Sequence, residues 1–227
     1  VNHHLLAIDV MRSPGSLLGP YDVLILDEAH QAAEAFRSAC TQRFSPRNAE
    51  RIFNMFNNNS YVQDLARIAK NTSPSKTKES LSTLIDMSRE LHEHALTCVD
   101  DTGRVPRNAL NPLGVKLSVY VAGLAKQMFA TQAEASKLYS TGYFNEGAEL
   151  PEAQVPYLIG ELRAITKRLY NLKNAIEGIA GVGTVADDES TEEVPETTPT
   201  MPLKHYVTVA DEDAILLKPV AIGEIIG

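Results

Sequence analysis

Asp27, Glu28 and His30 stand together in the stretch VLILDEAH, directly after the apolar residues Val23, Leu24, Ile25 and Leu26. Two adjacent carboxylates at the end of an apolar strand lie at the carboxyl edge of a sheet, where α/β folds bind ligands. Asp27, first out of the strand, is suited to hold Mg²⁺ through its water shell, because that ion keeps several waters and needs only one or two carboxylates. Glu28 can orient and deprotonate a water for attack on a γ-phosphate. His30, further on, can hydrogen-bond across a domain interface and report the nucleotide state. ATP with Mg²⁺ is therefore the cofactor pair that these residues predict. A glycine-rich phosphate loop ending in Gly-Lys-Ser/Thr normally accompanies them, and none occurs in the 227 residues. The plainer reading of Asp27 and Glu28 is a pair of acids favoured at a helix N-terminus.

A second group of residues carries charge rather than chemistry. Arg163, Lys167, Arg168 and Lys173 lie off the apolar side of the last predicted helix, and Arg37, Arg43, Arg47 and Arg51 form another basic series. Such residues neutralise nucleic-acid phosphates without reading sequence, or simply line a solvated helix face. Tyr120, Tyr157 and Tyr170 can stack bases or sit at the boundary of a helical core. His3 and His4 can lie beside a bound nucleic acid or cap a strand. Two cysteines, Cys40 and Cys98, are far apart and have no partners at ligand spacing. Zinc and iron–sulfur sites need about four such ligands, so buried reduced thiols are expected.

The formal charge of -8 argues against a nucleic-acid binder until it is located. Six of those negative charges are Asp187, Asp188, Glu189, Glu192, Glu193 and Glu196, with no Lys or Arg among them. The remainder is close to balanced, and global charge says little about partners. No apolar run approaches the ~18 residues of a membrane span, and no signal-peptide pattern opens the chain. An intracellular protein, cytoplasmic or at the nucleoid or nucleus, is expected. Val1 stands where a methionine would, which predicts a processed chain or a piece of a longer one.

The elements that position these residues follow from periodicity. The opening apolar segment runs into a Pro/Gly-rich turn at residues 13–20, and residues 21–26 predict a strand buried on both faces, as in a parallel sheet. That strand should pair with a terminal strand, since an unpaired apolar strand aggregates. An alanine-rich helix is predicted from Glu28 to near Phe44. Ser45-Pro46 then opens a helix to Phe56 as N-cap and first-turn proline. Residues 57–60 break it before a short helix to Lys70. Longer helices are predicted over 76–99 and 113–139, separated by a loop at 100–112. Val155, Leu158, Leu162, Ile165, Leu169, Leu172, Ile176 and Ile179 alternate spacings of three and four, an a/d seam over three heptads spanning ~37 Å. Its expected partner is one of the two preceding helices, antiparallel within a monomer; a coiled-coil dimer is the alternative. The acidic stretch 181–202 reads as a mobile loop. HYVTVAD and AILLKPVAI read as a hairpin or consecutive strands around Asp211-Glu212-Asp213. A mostly α chain with a small β part results, its helical middle inserted between strand-like ends.

VLILDEAH resembles the Walker B segment, motif II, of superfamily 2 helicases. VNHHLL shortly before YDVLILDEAHQ, with AILLKPVAIGEIIG at the far end, resembles the XPD/DinG group of DNA helicases. The resemblance implies a partial RecA-like motor domain 1 over 1–44, a helical arch-like domain over 45–180, an acidic mobile loop over 181–203, and strands returning to the motor over 204–227. It implies an ATP-dependent DNA helicase with 5′-to-3′ translocation, in which Asp27 holds Mg²⁺, Glu28 activates water and His30 couples hydrolysis to movement. The arch would help gate single-stranded DNA beside the rest of the helicase polypeptide. The phosphate loop, a 4Fe–4S cluster and motor domain 2 would belong to the intact parent, so this chain alone is expected not to hydrolyse ATP. The other reading is a stand-alone helical protein- or nucleic-acid-binding module with a relic DEAH strand. Gly103-Arg104-Val105-Pro106-Arg107 matches the core of the family's arginine-finger motif, but its place between two arch helices favours a solvated loop.

Overall fold

The computed structural model describes residues 2–12, 17–19, 22, 23, 25–70, 73–145, 150–181 and 206–219. The chain is mostly helical, with helices α1 (His3–Arg12), α2 (Ala29–Cys40), α3 (Pro46–Asn57), α4 (Ser60–Lys70), α5 (Pro74–Thr97), α6 (Arg107–Ser140) and α7 (Val155–Ala180). Three strands, β1 (Gln42–Phe44), β2 (Tyr206–Ala210) and β3 (Ile215–Pro219), form one antiparallel sheet in the order β1-β3-β2.

The heptad seam builds the centre. All eight of its residues, Val155 to Ile179, are buried, each worth about 1.5–3 kcal/mol of apolar transfer. Their principal partner is α6, laid antiparallel along α7. Near the start of α6, Gly114 lies against Ala180 at the end of α7, with no room for a Cβ between them. One turn further, Ser118 Oγ donates to Glu177 Oε1 at 2.8 Å, and Lys173 Nζ lies 3.0 Å from the same carboxylate oxygen. Gly181, with φ +65°, ends α7 in the left-handed turn that favours glycine. The remaining apolar faces close around this pair: Ile52 and Phe56 of α3, Val62 and Leu65 of α4, and Leu81, Leu84 and Leu91 of α5 join one core.

The sheet seals the end of the bundle where α7 finishes. Gln42 pairs with Leu217, Phe44 with Ile215, and Tyr206 with Pro219. Its hairpin turn is tied down from both flanking helices. Ser45, the N-cap residue of α3, makes no capping bond; its hydroxyl instead donates to the Asp213 carbonyl at 2.9 Å. His92 Nε2 of α5 lies 2.9 Å from the Asp211 carbonyl oxygen, and Arg47 reaches the Asp213 carboxylate at 3.2 Å. Gln42 packs directly over Gly178, which has no side chain to displace it.

Several predicted elements differ. The opening segment is helix α1 rather than strand, because Asn2 Oδ1 accepts the His4 N–H as a helix cap and Leu6 and Ala7 pack on Phe36 of α2. Of residues 21–26, those described (22, 23, 25 and 26) belong to no strand, and Val23 and Ile25 are 76% and 85% exposed. Both edges of β3 are occupied by β1 and β2, so the terminal strand has no edge left for that segment. The sheet is antiparallel throughout, not parallel. The helix expected to reach Phe44 stops at Cys40; the next residues turn extended and bury Phe44 completely as part of β1. The loop expected to run to Pro112 is shorter, since α6 begins at Arg107 and carries Pro112 in its second turn. The helices over 46–57, 60–70 and 74–97, the long seam and the final hairpin agree with periodicity. The acidic run and all of the 181–203 loop except Gly181 lie outside the described residues.

Candidate functional site

Asp27, Glu28 and His30 come together on the surface where the chain enters α2. Glu28 is the N-cap residue of that helix, yet its side chain makes no capping bond. Its backbone is left-handed, φ 50° and ψ 47°, the one non-glycine residue with positive φ among those described. For a branched-free but bulky acid this costs about 1–2 kcal/mol, and such outliers concentrate at functional sites. Asp27 Oδ1 accepts the Glu28 N–H at 2.9 Å, which holds the turn. His30 Nδ1 lies 3.2 Å from Glu28 Oε2 with both side chains more than half exposed. Two carboxylates open to solvent suit a cation that keeps most of its waters. They are not a preassembled metal cage: no group of three or more His, Cys, Asp or Glu side chains that could hold a metal is gathered among the described residues. Cys40 and Cys98 are free; burial pushes the Cys40 thiol up, as expected of a thiol kept protonated.

The basic candidates divide. Arg163 and Lys167 face solvent on the outer side of α7. Lys173, mostly out of solvent, is engaged with Glu177 one turn on along α7 rather than offering a free cation. Arg168 borders an open groove of about 500 Å³ whose other wall is α3, through Arg51, Asn54, Met55 and Asn58. Arg37 and Arg43 are exposed on α2 and β1, and Arg47 is held by Asp213. Of the tyrosines, Tyr120 donates its hydroxyl to the Ser80 carbonyl and is structural. Tyr170 packs against the core, and Tyr157 is exposed. His3 and His4 open α1 rather than capping a strand. Sequence spacing did not single out Asn54 and Asn58, although Arg47, Arg51, Asn54 and Asn58 recur at helical intervals along one side of α3.

The finger-like motif is structural loop. Asp100 Oδ1 accepts from Thr102 Oγ1, Thr102 N and Arg104 N at 2.7–2.9 Å, and Gly103 supplies the positive φ that closes the turn. Arg104 then bridges Val209, and the buried Val105 donates its N–H to Thr208 O. The Thr102 hydroxyl, followed by the Arg104 N–H, holds the Asp100 carboxyl below the ordinary aspartate range.

Compared with known proteins, the chain matches no family model, no curated protein and no solved structure. No helix among the described residues is long and apolar enough to cross a membrane.

Proposed function

We propose that the chain is the motif II and helical-arch region of an ATP-dependent DNA helicase of the XPD/DinG kind. The supporting observation is the Asp27–Glu28–His30 turn, with both carboxylates in solvent and a strained backbone at Glu28, directly after an exposed apolar segment. In this reading that segment is covered by the RecA-like sheet of the motor, and the bundle from α3 to α7 is the arch that gates single-stranded DNA. Asp27 would hold Mg²⁺ through its water shell, and Glu28 would take the proton from the attacking water. His30, held by Glu28 at 3.2 Å, is placed to change partners when Glu28 does. Bound Mg²⁺ supplies the positive charge that offsets charge developing on the phosphate oxygens.

In the intact parent, Glu28→Gln should lower ATP turnover by on the order of 10²-fold or more, as loss of a water-activating group does. Wild-type turnover by that variant would remove Glu28 from the role. The purified 227-residue chain with Mg²⁺ and ATP should show no turnover, because it carries no Gly-Lys-Ser/Thr loop. Turnover abolished by Asp27→Ala would mean that this chain cradles the phosphates itself.

A second reading is a stand-alone helical binding module with a relic DEAH segment. It is favoured by the described residues of 22–26 lying outside the sheet. A natural reading frame limited to these residues would select it. Dimerisation through the heptad seam is a weaker option, since α6 already covers that seam within one chain.

A further inference from the structure

We propose that the groove between α3 and α7 binds the phosphodiester backbone of a single-stranded nucleic acid. Its two arginines come from separate stretches of sequence, Arg51 from α3 and Arg168 from α7, and meet at one opening of about 500 Å³. Neither has an ion-pair partner among the described residues, whereas two other cations on the same helices, Arg47 and Lys173, do. Arg47 is held by Asp213 at 3.2 Å, and Lys173 by Glu177 at 3.0 Å. The acid beside Arg51 in sequence, Glu50, turns the other way and takes Arg89 at 2.7 Å. The groove thus keeps two uncompensated guanidinium forks, the group best matched to phosphate oxygens through paired N–H donors.

Asn54 and Asn58 complete the wall on the same side of α3 as Arg51. Their amides donate as well as accept, so they serve phosphate oxygens and base edges alike. The opening is wide rather than enclosed, and a small ligand needs most of its surface covered to bind well. A strand that lies across the surface needs only a positively charged track. Glu161, seven residues before Arg168 and hence two turns away on the same side of α7, does not line the groove. The proposal deepens the helicase reading and rests on it for choosing a nucleic acid over an acidic peptide.

Fluorescence anisotropy of a labelled single-stranded oligonucleotide, with the 227-residue chain and no nucleotide present, tests it. The double variant Arg51→Ala/Arg168→Ala should bind at least about tenfold more weakly, and the slope of log affinity against log salt should fall by about 1.4 for two phosphates lost. Lys116→Ala/Lys126→Ala, exposed on α6 and outside the groove lining, should stay within about twofold of wild type. Asn54→Asp/Asn58→Asp, which keeps every side-chain stem, should weaken binding as the arginine pair does. No binding by the wild-type chain, or equal affinity and slope in the groove variants, overturns the proposal. Displacement by inorganic phosphate or an acidic peptide as readily as by unlabelled strand would assign the groove to that ligand, and tighter binding of duplex would remove the single strand. Because ATP is absent, loss of the helicase reading through an active Glu28→Gln parent would leave this result standing.

Discussion

The bundle and the amino-terminal arm are built from similarly apolar sequence, and only one of them hides it. Along α7 the residues spaced by three and four are all buried, while Val23 and Ile25, drawn from an equally apolar run, are mostly in solvent. The arm's own core is small, with Leu6, Ala7 and Phe36 buried together and Leu18 and Ala39 packed against them. A periodic pattern carries its partner's geometry with it, because a helix with one apolar stripe can close on any similar helix nearby. A continuous apolar run does not; it needs two neighbouring strands, and the one strand here that is flanked on both sides is β3, between β1 and β2.

The sharpest way to break that contrast is to truncate one residue from each region. Leu169→Ala, at a fully buried seam position, should lose about 3 kcal/mol in urea unfolding, the usual outcome for a leucine cavity. Ile25→Ala should change stability by less than about 0.5 kcal/mol, as exposed substitutions do. Equal losses would mean that the arm is packed after all. Gly114→Val tests the close approach of α6 and α7, since a side chain there meets Ala180; about 1–3 kcal/mol should be lost to overpacking. Glu177→Ala removes an acceptor shared by Ser118 and Lys173, and a melting experiment should show a loss of about 1 kcal/mol. The smallest effect belongs to the surface. Asp100 has its carboxyl pKa lowered on folding, so its contribution is present above the ordinary aspartate value of about 3.9 and is lost as pH falls through the lowered one. A carboxyl-carbon NMR titration should place its midpoint below that of a denatured control, and Asp100→Asn should flatten the acid limb of the stability curve slightly.

The same contrast explains what could be read in advance. The seam, α3 to α5 and the final hairpin were legible because each is specified by its own neighbours, through Ser45-Pro46, heptad spacing or alternation around an Asp-rich turn. Strand β1 was not, since Gln42-Arg43-Phe44 carries no local strand pattern and is drawn out by pairing with β3, more than 170 positions away. Helix α1 hid behind an apolar opening whose only signal was an asparagine cap. At the candidate site, Asp27, Glu28 and His30 were legible as types in order; the left-handed turn at Glu28 that gathers them was not. The groove was half legible, with both arginines noted in separate series but their meeting decided by how α3 leans on α7.

Gln42 and Leu217 face one another across the sheet, with β1 leading into the bundle and β3 leading out. The way in and the way out are therefore one strand spacing, ~4.8 Å, apart. Any surrounding structure that moves these two chain ends apart would pull on them from the same side of the β1–β3 ladder. Its pairs would then open one after another, like a zip, rather than resisting together in shear. The Phe44–Ile215 pair would be the last of the three to part. The entry and exit of the bundle are thus joined by a three-pair fuse that would open in sequence.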